Sequence, residues 1–153
     1  LCENQEGYQN LCKLVSYAFL EGFYYKPRVD LDLLKKYHKG LIALSACLAG
    51  EVLQNFLEHN EEEAYRIAKE YKEVFGEGNY FIELQNHGIE EQLWTNPLLV
   101  KLARDLDIPL VATNDVHYTN KEYRQNELPF RPVLFKKQGG NGSLIRRIPG
   151  SLG

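Results

Sequence analysis

The sequence has no methionine anywhere in its 153 residues, so no initiator stands at Leu1 and the chain is expected not to begin where its gene begins. It lacks any apolar run near the roughly 20 residues that a membrane span needs, and no signal peptide opens it. No membrane partner is therefore expected, and a cytoplasmic setting fits. Only three cysteines occur, Cys2, Cys12 and Cys47. Their irregular spacing argues against a disulfide framework and for reduced thiols. Positive charge is short in the first part of the chain and negative charge in the last. Residues 1–118 hold 11 Lys+Arg against 19 Asp+Glu, net −8, and the remainder 7 against 2, net +5. So abrupt a reversal marks a boundary near Tyr118.

What is present is a globular composition, 44% hydrophobic and 25% charged, in a length sufficient for one domain with a sizeable core. Residues 108–118 are the centre of the pattern. An apolar run behind Pro109 reads as a buried strand of a parallel sheet and turns abruptly polar at Asn114 and Asp115. Alternate strand residues share a face, so Asp115 and His117 project together just past the carboxyl end. A carboxylate and an imidazole converging there make a two-residue clamp of the kind that suits zinc, manganese or iron. A hydrogen-bonded Asp and His closing a loop is the competing reading of so short a motif.

Upstream, Tyr8, Leu11, Cys12, Leu14, Val15 and Ala18 recur three and four apart behind Asn4, predicting a capped helix that Gly22 stops. Phe23-Tyr24-Tyr25-Lys26-Pro27-Arg28 then reads as extended, aromatic and basic. Such a segment could contact a phosphate backbone, but packing of its rings against the domain is the favoured expectation. Asp30 caps a short helix carrying Leu33, Leu34 and Tyr37, closed by Gly40. Residues 41–46 form the first expected buried strand, followed by a helix through Leu53, Phe56 and Leu57. A longer helix follows, where Asn60 and Glu63 read as a capping box and Ala64, Ile67, Ala68, Tyr71, Val74 and Phe75 form the apolar stripe. The run Glu61-Glu62-Glu63 is explained by the helix dipole and solvation. Residues 79–85 give the second strand. A helical segment over about 90–106 either kinks at Pro97 or restarts there with Asn96 as cap.

Strands and helices thus alternate, which predicts an α/β arrangement with a parallel sheet. Parallel strands place their carboxyl ends on one rim, where such folds build their sites. Ser45/Cys47, Gln85/His87 and Asp115/His117 each fall at or just past such an end. A thiol, two imidazoles and a carboxylate at one rim point to a metal-centred site. Beyond Tyr118 no periodicity is sustained; Gly139-Gly140-Asn141-Gly142-Ser143 lies between basic residues. RNA contact is one reading of such a segment, and disorder is the expectation.

Several blocks resemble one family. Asn4-x-x-Gly7-Tyr8-x-Asn10-Leu11, the run from Gly22 to Asp30, the run from Gly40 to Val52, Phe81-Ile82-Glu83-Leu84-Gln85-Asn86-His87-Gly88-Ile89 and Ala112-Thr113-Asn114-Asp115-Val116-His117-Tyr118 all look like the bacterial replicative DNA polymerase III alpha subunits. The resemblance is to their amino-terminal polymerase-and-histidinol-phosphatase (PHP) domain and is collinear over about residues 1–121. It implies part of a distorted (β/α)7 PHP barrel of parallel strands, followed by an irregular tail over 122–153. It also implies divalent ions (zinc, manganese or magnesium) at the strand ends. The family's Asp-x-His falls on Asp115 and His117, and a position that is His or Cys in the family falls on Cys47. His87 is rim-lining by the same resemblance, and Glu83, Gln85 and Asn114 are supporting.

The family pattern opens with a His-x-His strand that has no counterpart from Leu1 onward, so any metal site in this fragment is expected to be incomplete. From about Glu122 the family continues as an Ala-rich helix, which the tail does not resemble; a frameshift, a mispredicted reading frame or a truncated gene would account for this. The implied parent is a DNA-directed DNA polymerase, a nucleotidyltransferase whose catalytic carboxylates lie outside this chain. Its partners would be DNA, deoxynucleoside triphosphates and replicase subunits such as the proofreading exonuclease and the sliding clamp. The PHP domain itself would be a metal-dependent 3′–5′ exonuclease or phosphoesterase. The alternatives are a non-catalytic structural and proofreader-docking module, or a free-standing PHP phosphoesterase, against which the Gly22–Asp30 block argues.

Overall fold

Asn4 begins the first helix, α1 (Gln5–Leu20), by accepting the Gly7 amide at 2.9 Å. This computed structural model describes residues 1–116, of which Leu1–Asp115 form one compact unit. His117 and the tail over 122–153 lie outside the described residues. Gly7 lies hard against the turn at Gly40, where a Cβ would fall 1.8 Å from the Gly40 carbonyl oxygen. Gly40 has φ +70. Buried Asn10 donates to the Lys39 carbonyl at 3.0 Å, and the Glu3 amide to that of Gly40 at 2.9 Å. These contacts fix the rotation of α1 about its axis. The buried face is Gly7, Asn10, Leu14 and Ala18, while Tyr8, Leu11 and Val15, expected on the inner stripe, are exposed.

Asp30 caps α2 (Leu31–Tyr37) as expected, accepting the Leu33 amide at 2.8 Å. The segment between the two helices corrects an expectation. Its tyrosine rings do not pack against the domain: Tyr24 and Tyr25 are 62% and 84% exposed, while Phe23, 57% exposed, stacks on Phe19 of α1. A bridge between Tyr24 and Lys26 closes a tight turn with Tyr25 at its tip, at φ 58, which throws the rings outward.

Three strands and three helices follow in the described residues: β1 (Ala43–Leu44), α3 (Glu51–Leu57), α4 (Glu61–Phe75), β2 (Tyr80–Leu84), α5 (Glu90–Asp105) and β3 (Leu110–Ala112). The described sheet has the order β1-β2-β3, parallel throughout, with Leu44 opposite Phe81 and Glu83 opposite Val111. Sequence-adjacent parallel strands joined by helices are the expected α/β pattern. The three described strands are a sheet and not a closed barrel. Tyr80 and Ile82, alternate residues of β2, are buried in one core with Val52, Phe56, Ala64, Ala68, Leu99 and Leu102. The opposite face of β2 carries Phe81 and Glu83.

The outer strands are less buried than the sequence predicts. β1 is two residues long and half-buried, although hydrogen bonds from the Ala43 and Ser45 amides extend its pairing. In β3, Leu110 and Ala112 are exposed and Val111 half-buried, because β3 is the outer strand of the described sheet and pairs on one side with β2. The capping box before α4 is half made. Asn60 accepts the Glu63 amide, but Glu63 gives its carboxylate to Arg66 at 2.7 Å instead of reaching back. α5 runs unbroken through Pro97, so no new helix begins there. Asn96 is not a cap; its side chain donates to the Gln85 carbonyl at 3.0 Å.

Tyr80 also carries a cost. Its hydroxyl is buried without a hydrogen-bond partner among the described residues. Burial pushes its pKa up, with the charges of Tyr71 and Glu51 adding; burial followed by the Glu51 hydrogen bond does the same to Tyr71. Both groups stay neutral in the folded chain while the unfolded chain ionises at about pH 10. Their stability contribution is therefore complete below that pH and lost as pH rises beyond it. Tyr80→Phe is expected to raise unfolding stability by about 1 kcal/mol at neutral pH and to flatten the alkaline decline. Urea denaturation of both proteins at pH 7 and pH 11 checks this; a less stable variant would mean that the hydroxyl has a partner.

Candidate functional site

Because all three strands run the same way, the segments that leave their carboxyl ends share one rim. Each exit turns sharply. Ala46 after β1 has φ 67 and Asp115 after β3 has φ 48, a region that a non-glycine residue enters at a cost. The cost is smaller for Asp, whose short polar side chain suits that conformation.

The exit of β2 is the best-bonded part of the rim. Glu83 lies on the face of β2 opposite Ile82, and Gln85 follows two residues later, just past the end of the strand. The Thr113 hydroxyl donates to Glu83 Oε1, and Gln85 Nε2 donates to the same oxygen at 3.1 Å and to Thr113 Oγ1 at 3.3 Å. The Glu83 amide donates to Ser45 Oγ at 2.9 Å, so the hydroxyl of Ser45 continues the join between β1 and β2. Cys47 is exposed and lines a small cavity together with Glu83, Gln85, Gln92 and Asn96. The fold thus brings the β1 and β2 candidates together.

His87 is fixed through both ring nitrogens. Its own amide donates to Gln92 Oε1 at 2.7 Å, which forces the Gln92 NH2 group to face the ring. Gln92 Nε2 then lies 3.1 Å from His87 Nδ1, which must accept. Nε2 of the ring therefore bears the proton and donates to the Asn114 carbonyl at 3.0 Å. This network assigns the neutral tautomer and ties the end of β2 to the residue before Asp115. In this arrangement neither ring nitrogen is open to a cation.

Asp115 is exposed and does not line the cavity beside Cys47. With β2 between them, β1 and β3 are two interstrand spacings apart, about 9.6 Å. One ion could touch Cys47 and Asp115 only where both side chains lean over the end of β2. Among the described residues no group of three or more His, Cys, Asp or Glu side chains is gathered closely enough to hold a metal. A thiolate and a carboxylate are suitable donors, but these two alone do not complete a site. His117, the second half of the expected clamp, lies outside the described residues.

Gln92, Asn96 and Thr113 were not legible as site residues, whereas Ser45 was readable at the end of β1. Gln92 was visible only as a polar residue inside a helical apolar pattern, and its pairing with His87 depends on how α5 is seated. No described helix is long and apolar enough to cross a membrane.

A family model described as PHP domain matches residues 1–87. Among curated proteins, a DNA polymerase III subunit alpha from Treponema pallidum is 51% identical over 122 residues, 80% of this chain and 10% of that protein. One from Deinococcus radiodurans is 50% identical over 121 residues, 79% of this chain and 9% of its own length. One from Aquifex aeolicus is 42% identical over 138 residues, covering 90% of this chain and 12% of the relative. The chain spans about a tenth of the length of these relatives.

Proposed function

Since this chain belongs to the PHP domain family and is homologous to the PHP region of bacterial DNA polymerase III alpha subunits, we propose that residues 1–121 are the later part of a distorted (β/α)7 PHP barrel within such a replicative polymerase, and that residues 122–153 do not belong to that barrel. In the longer protein, DNA and deoxynucleoside triphosphates would be the substrates, and the proofreading exonuclease and sliding clamp the protein partners. Nucleotidyl transfer itself would belong to carboxylates elsewhere in that protein.

At the rim, Cys47, Asp115 and His117 would hold a divalent ion, zinc, manganese or magnesium. Glu83, Gln85 and Asn114 would support them, with His87 joining the two strand ends. When bound, such an ion supplies an activated water and stabilises the leaving oxygen of a phosphodiester, as a 3′–5′ exonuclease requires. This chain's own part is to present the thiolate and the carboxylate from opposite flanks of β2. The observation that carries the reading is the common direction of β1, β2 and β3, which puts the Cys47, Gln85 and Asp115 segments at one rim. A structural, proofreader-docking role is the second reading. It is favoured by the small number of donors at the described rim.

Calorimetric titration with zinc and manganese tests the ligand assignment. Cys47→Ser and Asp115→Asn are each expected to weaken binding by about tenfold or more, since each removes a direct donor. Cys47 is exposed, so thermal stability without metal should not change in Cys47→Ser. Equal binding by wild type and both variants would remove the metal from this rim and leave the docking reading.

A further inference from the structure

We propose that the turn between α1 and α2 is a stacking platform for single-stranded DNA, with bases on Tyr24 and Tyr25 and phosphates on Lys26 and Arg28. The choice of DNA rests on the replicative reading above; the platform itself rests on the turn.

The turn is built, and built outward. Gly22 lies so close to its far end that a Cβ there would meet the Arg28 carbonyl oxygen at 2.1 Å. The Tyr24 amide donates to the Lys26 carbonyl at 3.1 Å. Closing so short a loop sets Tyr25 at φ 58, a conformation disfavoured for a bulky aromatic residue, and leaves its ring 84% exposed. Strain and exposure at the same residue oppose stability, and retained strain of this kind points to a site.

The rings are ordered among themselves. Tyr24 and Tyr25 meet edge to face, with centroids 4.6 Å apart and planes at 77°, so they form a corner with ring faces turned to different sides. The Arg28 guanidinium lies 5.0 Å from the Tyr24 ring centroid. Phe23 continues the aromatic surface, stacked on Phe19 at 6.3 Å. Ring faces beside cations are what a flexible strand with unpaired bases needs, because every base offers a flat face and every linkage a charge. A duplex hides those base faces.

Charge narrows the choice of partner further. The turn carries Lys26 and Arg28 beside the rings, with Glu21 and Asp30 at its two ends, where Asp30 is taken up as the cap of α2. Residues 1–40 hold 6 Lys+Arg against 5 Asp+Glu, whereas residues 41–116 hold 5 against 14. A polyanion is repelled less by residues 1–40, which contain the turn, than by residues 41–116.

The test is fluorescence anisotropy of a labelled oligo(dT) with the full 153-residue chain. Tyr24→Ala and Tyr25→Ala are each expected to weaken binding by about tenfold, and Tyr24→Phe and Tyr25→Phe to retain it. Tyr25→Gly separates folding from binding, since glycine relieves the φ 58 strain: the variant should melt no lower than wild type and still lose affinity. Lys26→Gln and Arg28→Gln should each reduce the slope of log affinity against log salt by about 0.7. Comparing variants in one chain cancels any binding by the basic residues beyond Tyr118.

Wild-type affinity that the alanine and glycine variants share would overturn the proposal, as would no oligonucleotide binding at all, which would leave the rings to a protein surface. Tighter binding of a matched oligo(rU) would overturn the choice of DNA. Zinc titration of the same samples keeps the two readings apart. Metal binding without DNA binding sinks the platform alone, and DNA binding at the turn without metal sinks the rim site alone.

Discussion

Given a primed template, deoxynucleoside triphosphates and magnesium, the 153-residue chain is expected to extend no primer. Given manganese or zinc, it is expected to release no nucleotide from a DNA 3′ end above background. Polymerisation needs carboxylates that hold two metal ions about 4 Å apart, and no such cluster exists among the described residues. Hydrolysis needs an ion held firmly enough to position a phosphate. Cys47 and Asp115 flank β2 from either side, and an ion held by so few donors would keep most of its water and orient nothing. Primer-extension and exonuclease assays, with Asp115→Asn as control, check both expectations. Robust nuclease activity in the wild type, lost in the control, would show that the donors of the site have been misassigned.

Gly7→Ala is expected to destabilise the domain by on the order of 3 kcal/mol. The added methyl would lie 1.8 Å from the Gly40 carbonyl oxygen and 2.5 Å from its carbon, and backbone on both sides must then separate. The partner cannot yield cheaply. Gly40 is itself held at φ +70, and a Cβ there would meet Asn4 Oδ1 at 2.5 Å. Parting the two glycines would also loosen the bonds of Asn10 to Lys39 and of Glu3 to Gly40. Gly76→Ala is the comparison: φ +83 with ψ 172 is a region essentially confined to glycine, yet no atom lies within 4 Å, so its cost is conformational strain alone, about 1–3 kcal/mol. Urea unfolding of both variants measures the difference, and equal losses would mean that the Gly7 contact is not tight.

The same contact explains what the sequence could and could not tell. Gly7 and Asn10 stood out only as part of a family-like pattern, whereas Asn4 was readable as a cap; together they cap α1 and hold the turn at residues 39–40. Strand and helix order was legible because periodicity and caps are local. The Asn4, Asp30 and Asn60 caps all lie where the sequence put them. Burial was less legible, since it depends on neighbours. The apolar run at Leu110 and Val111 read as a buried strand, but its place at the outside of the described sheet leaves Leu110 exposed. Rings at Tyr24 and Tyr25 read as packed against the domain, and the turn at Tyr25 holds them out instead. At the rim, shared strand direction could be inferred from the sequence. The bonds of Gln92 to His87 and of Thr113 to Glu83 could not, because they depend on the seating of α5 and the register of β3.

That pairing of Gln92 with His87 also bears on the movement of protons. A relay must take up a proton at one nitrogen and release one from the other, exchanging partners as it does so. The His87 ring has a lone pair committed to a side-chain amide and a proton committed to the Asn114 carbonyl, and the His87 amide holds that side chain in place. To carry a proton, the ring would have to let go of β3 and turn the amide of Gln92 against its own backbone. His87 thus serves as a joint between the ends of β2 and β3.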